Sequence, residues 1–256
     1  MMKHLYKWDL IYYFNQLKWL LISSIFVTAV SYLFKEFGSD NIVFSFLYQT
    51  TFIISIVVVI VLLVYAYFSI LQRYFKTMHK DEGYFTHTLP ISKTKILVAK
   101  MLSGFSVFML VVLIGLGLFM WLKVIDIDQL KMFYELDPTG FNMILLSFGS
   151  LILTGFVFIL VFYAAMSFGF SFNKSEWLYV FIFFILYYVA NQVLGVVNTG
   201  INYLFNPNIF SGEATDVLGS LIPILITQFV LLILEGVACF FIANHFITKK
   251  LNLKNG

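Results

Sequence analysis

Glu235 is the only Asp, Glu, Lys or Arg between residues 217 and 248. An ionisable group deep in an apolar helix costs at least ~2.5 kcal/mol on insertion scales, so such residues usually face a bundle interior or a water-filled cavity. Two chemistries fit it. It is either a carboxylate in a cavity or interface that senses substrate or couples movement, or a protonated acid hydrogen-bonded between helices. A solvated position close to the interface is a variant of the second. Candidate partners are Gln228, Asn191, Gln192 and Tyr163, and the adjacent Gly236 would let another helix approach closely.

A second chemistry-bearing stretch is residues 80–95, KDEGYFTHTLPISKTK. It interleaves the charges of Asp81 and Glu82 with the apolar anchors Tyr84, Phe85 and Leu89. Aromatic anchors rimmed by charge are typical of a protein-contact surface; the alternative is that these rings sit at the lipid interface. Leu89 precedes Pro90 and is biased away from helix. Ser92 can then cap a new helix, which would leave Lys93, Lys95 and Lys100 at the membrane surface.

Other chemistries lack their residues. The nearest approach to a phosphate-binding loop is GFSFNKS at 169–175, where Asn173 stands in place of the Gly that lets backbone amides close on phosphates. There is no His-Glu-x-x-His, and His4, His79, His87 and His245 lie in separate segments without metal-ligand spacing. No Gly-x-Ser-x-Gly elbow occurs. Cys239, the single cysteine, lies in the apolar LEGVACFF and reads as an inert filler. These absences predict a chain with no catalytic residues, no metal and no cofactor of its own.

The elements that must position Glu235 and the 80–95 stretch follow from composition. The 256 residues are 61% hydrophobic and 11% charged, against about 25% charged in soluble domains. Residues 19–34, 41–72, 101–122, 141–173 and 177–212 contain no Asp, Glu, Lys or Arg. A crossing helix needs roughly 20 apolar residues. These runs, with 217–248, predict spans at about 17–34, 46–72, 96–122, 142–168, 177–197 and 220–247. Runs such as IISIVVVIVLLVYAYF (53–68) are apolar on every face and exclude the alternation of a β-barrel strand. The expected fold is all-α, one polytopic membrane domain over 1–256 with six transmembrane helices.

Six spans place both termini on one side. All Lys and Arg except Lys35, Lys123 and Lys131 fall in the connections on that side. The positive-inside rule makes that side, and with it residues 80–95, cytoplasmic. The net charge of +3 is mostly this orientation signal, and it argues for no nucleic-acid partner. Residues 1–18 mix Lys with Tyr6, Trp8, Tyr12 and Tyr13 and predict an interfacial helix, or else a juxtamembrane tail. Residues 198–219 are rich in Asn, Gly and Pro yet keep apolar anchors; they predict a re-entrant hairpin turning near Asn206-Pro207, or an ordinary outer loop.

DEGYFTHTLPISKTKILVAK (81–100) resembles the first cytoplasmic loop of permease subunits of bacterial type-2 ABC exporters. The likeness rests on Glu82, Gly83, Tyr84, Phe85, Thr88, Leu89, Pro90, Ile91 and Ser92. It extends to the length, the six spans, the lead-in helix and the hairpin before the last span. The resemblance implies a plasma-membrane permease, working as a homodimer with a separate ATPase subunit that holds ATP and Mg. It assigns Asp81, Glu82, Gly83, Tyr84, Phe85, Thr88, Leu89 and Pro90 (loop 76–93) to a coupling helix docked on that ATPase. The short connection 169–177 would add a minor second contact. It implies a cargo of the antimicrobial-peptide, phenol-soluble-modulin-like or drug kind, which the 20% aromatic content suits. Glu235, Gln228, Asn191 and Gln192 are the pathway or gating candidates. The competing functions are a proton-coupled secondary transporter using Glu235 and a non-transporting immunity or scaffold protein.

Overall fold

A backbone in lipid must satisfy its polar groups internally, so apolar runs that cross a membrane become helices. The computed structural model describes residues 2–37, 42–172, 175–205 and 217–249. Eight helices occupy them: α1 (Met2–Phe37), α2 (Ile42–His79), α3 (Asp81–Thr88), α4 (Lys93–Trp121), α5 (Ile127–Leu136), α6 (Pro138–Gly169), α7 (Glu176–Phe205) and α8 (Val217–Lys249). There is no strand among the described residues. Six helices, all but α3 and α5, are long and apolar enough to span a membrane, so the chain is a multi-pass, all-α membrane protein.

The N-terminal segment and the first span form one unbroken helix, α1, of 36 residues. At 1.5 Å per residue it is about 54 Å long, well beyond a hydrocarbon core of about 30 Å. α7 likewise continues to Phe205, past residue 197. The turn expected near Asn206-Pro207 lies outside the described residues. The connection between α4 and α6 carries α5, which no apolar run announced. Its end is written in the sequence, because Asp137 accepts from the Gly140 amide (2.9 Å) and Pro138 opens α6.

The chain divides into two compact units. The first comprises Met1–Arg73 with Val98–Leu130. Its helices alternate in direction. Tyr6 near the start of α1 donates to Ser106 of α4 at 3.0 Å, while at the other end Phe34 meets Phe44 of α2 and Tyr32 meets Trp121 of α4. Tyr13, Leu17, Val59, Leu62 and Ile70 are buried here beside the small polar Ser24, Thr28, Ser55 and Ser103. Small residues let membrane helices approach closely.

The second unit comprises Tyr74–Leu97 with Lys131–Gly256. α6 is its spine, burying Val157, Ile159, Leu160, Val161 and the run from Tyr163 to Ser167. α8 lies along α6 in the same direction, with Phe229 near Gly149, Gly236 against Val157 and Leu160, and Phe246 5.1 Å from the Phe168 ring. A Cβ on Gly236 would sit 3.3 Å from Val157, so this glycine does permit the close approach. α7 buries the smallest share of its apolar stretch, 6%, and presents most of its circumference outward.

Candidate functional site

The segment that resembles a coupling loop folds as α3. Lys80 is extended (φ −112°, ψ −154°), and so is Leu89 (φ −62°, ψ 138°), as a residue before proline should be. These two breaks set an eight-residue helix apart from α2 and α4. The Gly83 amide donates to the Lys80 carbonyl at 2.7 Å, and α4 opens with the Lys95 amide on the Ser92 carbonyl at 2.9 Å. α3 has two faces. Gly83 and Thr86 are buried, and a ring nitrogen of His87 meets the Met78 carbonyl at 3.2 Å. Glu82, Phe85 and Thr88 are exposed, Phe85 at 72%, and Pro90 follows them outward. The side chains of Asp81 and Tyr84 lie outside the described residues. Burial holds His87 below the usual imidazole range; the Met78 carbonyl opposes this and the Lys93 charge adds to it.

The end of α2 that carries α3 is fixed by rings. Tyr74 stacks on Tyr163 of α6 at 3.6 Å, and their neighbour Ser167 lies 2.8 Å from the Tyr74 hydroxyl. His79 packs against Tyr74 and Phe170, and Phe75 meets both Phe170 and Trp177. Phe170 and Trp177 flank the short α6–α7 connection, so that connection anchors the base of α3. Gly169 makes this possible: a Cβ there would lie 2.8 Å from the Glu176 carbonyl oxygen and 3.0 Å from the Val180 nitrogen.

A second site lies among α6, α7 and α8. A cavity of about 580 Å³ is walled by Phe168, Phe183, Phe246 and aliphatic side chains, with Glu235 in its lining. The Glu235 carboxyl is half-buried, with Tyr187 and Asn191, one turn apart on α7, as its polar neighbours. The four pathway candidates therefore separate. Asn191 joins Glu235. Gln228 instead accepts from Asn198 at 3.1 Å, in a polar knot where Asn202 donates to Thr227 at 2.8 Å and Thr227 bonds Asn198. Gln192 is exposed, in a separate shallow pocket with Thr199 and Tyr203. Tyr163 belongs to the α2 end.

A third constellation had no local signal. Asp9 Oδ1 accepts from Lys100 Nζ at 2.7 Å and from Arg73 Nε at 3.0 Å. Asp9 and Lys100 are fully buried, and the guanidinium lies 4.5 Å from the Tyr12 ring centroid. Lys100 is thus buried within the first unit, where its place beside Lys93 and Lys95 had implied an exposed position. The carboxylate of α1 draws it inward, because a buried charge must be paired. Among the described residues no three His, Cys, Asp or Glu side chains converge as metal ligands would.

Comparison with family models, with curated proteins and with solved structures found no match to this chain.

Proposed function

We propose that this chain is the permease subunit of an ATP-driven exporter of the type-2 ABC kind. In this reading it works as a homodimer in a bacterial plasma membrane, with both termini cytoplasmic. The chain itself catalyses nothing. A separate ATPase subunit binds ATP and Mg and docks on α3. Closure of that ATPase pushes α3, and the ring cluster at Tyr74, His79, Phe170 and Trp177 passes the push to α6–α8. The cavity beside Glu235 takes a hydrophobic or amphipathic peptide, toxin or drug.

The observation that carries this reading is α3: a short helix, set off by two extended residues, that buries one face against its own chain and turns Phe85 outward among Glu82, Thr88 and Pro90. A loop made only to connect α2 and α4 needs no helix and no outward aromatic. The arrangement suits insertion of an aromatic anchor into a groove on a partner.

Co-purification with the ATPase tests it. Replacing a central interface aromatic by Ala typically costs about 2 kcal/mol or more of binding, so Phe85→Ala should reduce recovery of an ATPase chain at least tenfold while membrane insertion is unchanged. Undiminished recovery contradicts a docking role for α3. A proton-coupled transporter working through Glu235 would instead lose transport to an uncoupler and keep it without ATP.

A further inference from the structure

The cavity beside Glu235 has an unusual balance of chemistry. Its volume of about 580 Å³ falls within the roughly 300–1,000 Å³ of pockets that take drug-sized ligands. Among the described residues that line it, Glu235 is the only charged one; no Lys, Arg or His is present. Three phenylalanine rings share the wall, Phe168 standing 5.7 Å from Phe183 and 5.1 Å from Phe246. The polar groups near the carboxyl, Tyr187 and Asn191, are neutral and supply no counter-charge.

A carboxylate in such a wall is poorly solvated, and among the described lining residues no fixed cation offsets it. A ligand that brings one positive charge on an apolar body restores both deficits. Its charge meets Glu235, and its body displaces water from aromatic walls that also attract cations through their ring faces. An anionic ligand would face like charge in a poorly screened site, and a neutral one would offer Glu235 no counter-charge.

We propose that the cavity selects lipophilic monocations, so that the cargo presents a single cationic group on an aromatic or aliphatic body to Glu235. This rests on the reading of the cavity as the cargo site and narrows its substrate class.

The test is equilibrium binding of radiolabelled tetraphenylphosphonium, and of uncharged triphenylphosphine oxide, to the full chain in nanodiscs of neutral lipid. Wild type should bind the cation saturably and at least tenfold more tightly than the oxide. Glu235→Gln should weaken cation binding at least tenfold and leave oxide binding as it was. Glu235→Asp should restore part of the loss. Ala238→Trp, which fills the cavity, should abolish saturable binding of both probes, with monodispersity showing that each variant folds. Equal binding of the two probes, insensitive to Glu235→Gln but lost in Ala238→Trp, would overturn the cationic selectivity and leave the cavity as cargo site. Saturable binding of neither probe, or binding untouched by Ala238→Trp, would overturn the cavity reading itself.

Discussion

Asp9, Arg73 and Lys100 stand at the starts and ends of three helices, and each alone looks like a membrane-flanking charge. Their meeting is a tertiary fact: positions 9, 73 and 100 share no spacing that a helical pattern reveals. Removing one partner of a buried ion pair typically costs 3–5 kcal/mol, because the other charge is left stranded. Asp9→Asn should therefore destabilise the first unit by about 3 kcal/mol or more, seen as a lower melting temperature in detergent. Lys100→Met added to Asp9→Asn should recover most of that loss, since Arg73 is the more exposed cation and can reach water along its stem. A double variant no more stable than Asp9→Asn would mean that Lys100 holds the fold by packing rather than charge. Glu235, by contrast, was visible at once, because one charge in a long apolar run cannot be overlooked. Its partner was half visible. Asn191 lies beside it, whereas Gln228, two turns away on α8, is taken by Asn198.

Two elements carry testable consequences. α3 holds its inner face partly through His87 on the Met78 carbonyl. Burial depresses the affinity of this ring for protons relative to a free imidazole of about 6.5. The undocked helix therefore binds the proton more readily, so α3 is fully anchored above about pH 6.5 and loosens as the pH falls below it. Hydrogen-exchange protection of residues 83–88 should drop between pH 7.5 and 5.5, and His87→Gln should remove that dependence. A pH-independent protection factor in the wild type contradicts this role for His87. The α6–α7 corner depends on Gly169, where any Cβ meets the backbone of α7. Gly169→Ala should cost about 1–3 kcal/mol of stability, as overpacking does, and should loosen the Phe75–Phe170–Trp177 cluster, read as a change in Trp fluorescence. Wild-type stability would show that the corner opens without strain. Pro90 and the preceding Leu89 made the end of α3 legible, whereas the charge-free run set the next span from 142, four residues after Pro138 opens α6. α5 was not legible from the charge-free runs, since its ten residues carry Asp128, Lys131 and Glu135, although Ile127, Leu130, Phe133 and Leu136 recur at helical spacing.

For the whole molecule, the six spanning helices follow directly from charge-free runs, because lipid leaves a backbone few alternatives. What composition could not give is the division into two units, in which residues 74–97 belong with α6–α8. That grouping depends on rings at Tyr74, His79, Phe170 and Trp177, which lie at the end of α2, just after α6 and at the start of α7 and share no spacing in sequence. It also ties the base of α3 to α6 and α7 through those rings. The most direct measurement is native mass spectrometry of the chain purified in mild detergent from the membranes of its own cells. The expected result is an assembly of two 29.6 kDa chains with two copies of a polypeptide bearing a phosphate-binding loop, lost with Phe85→Ala. The chain alone, or associated only with itself, would contradict an ATP-driven permease coupled through α3.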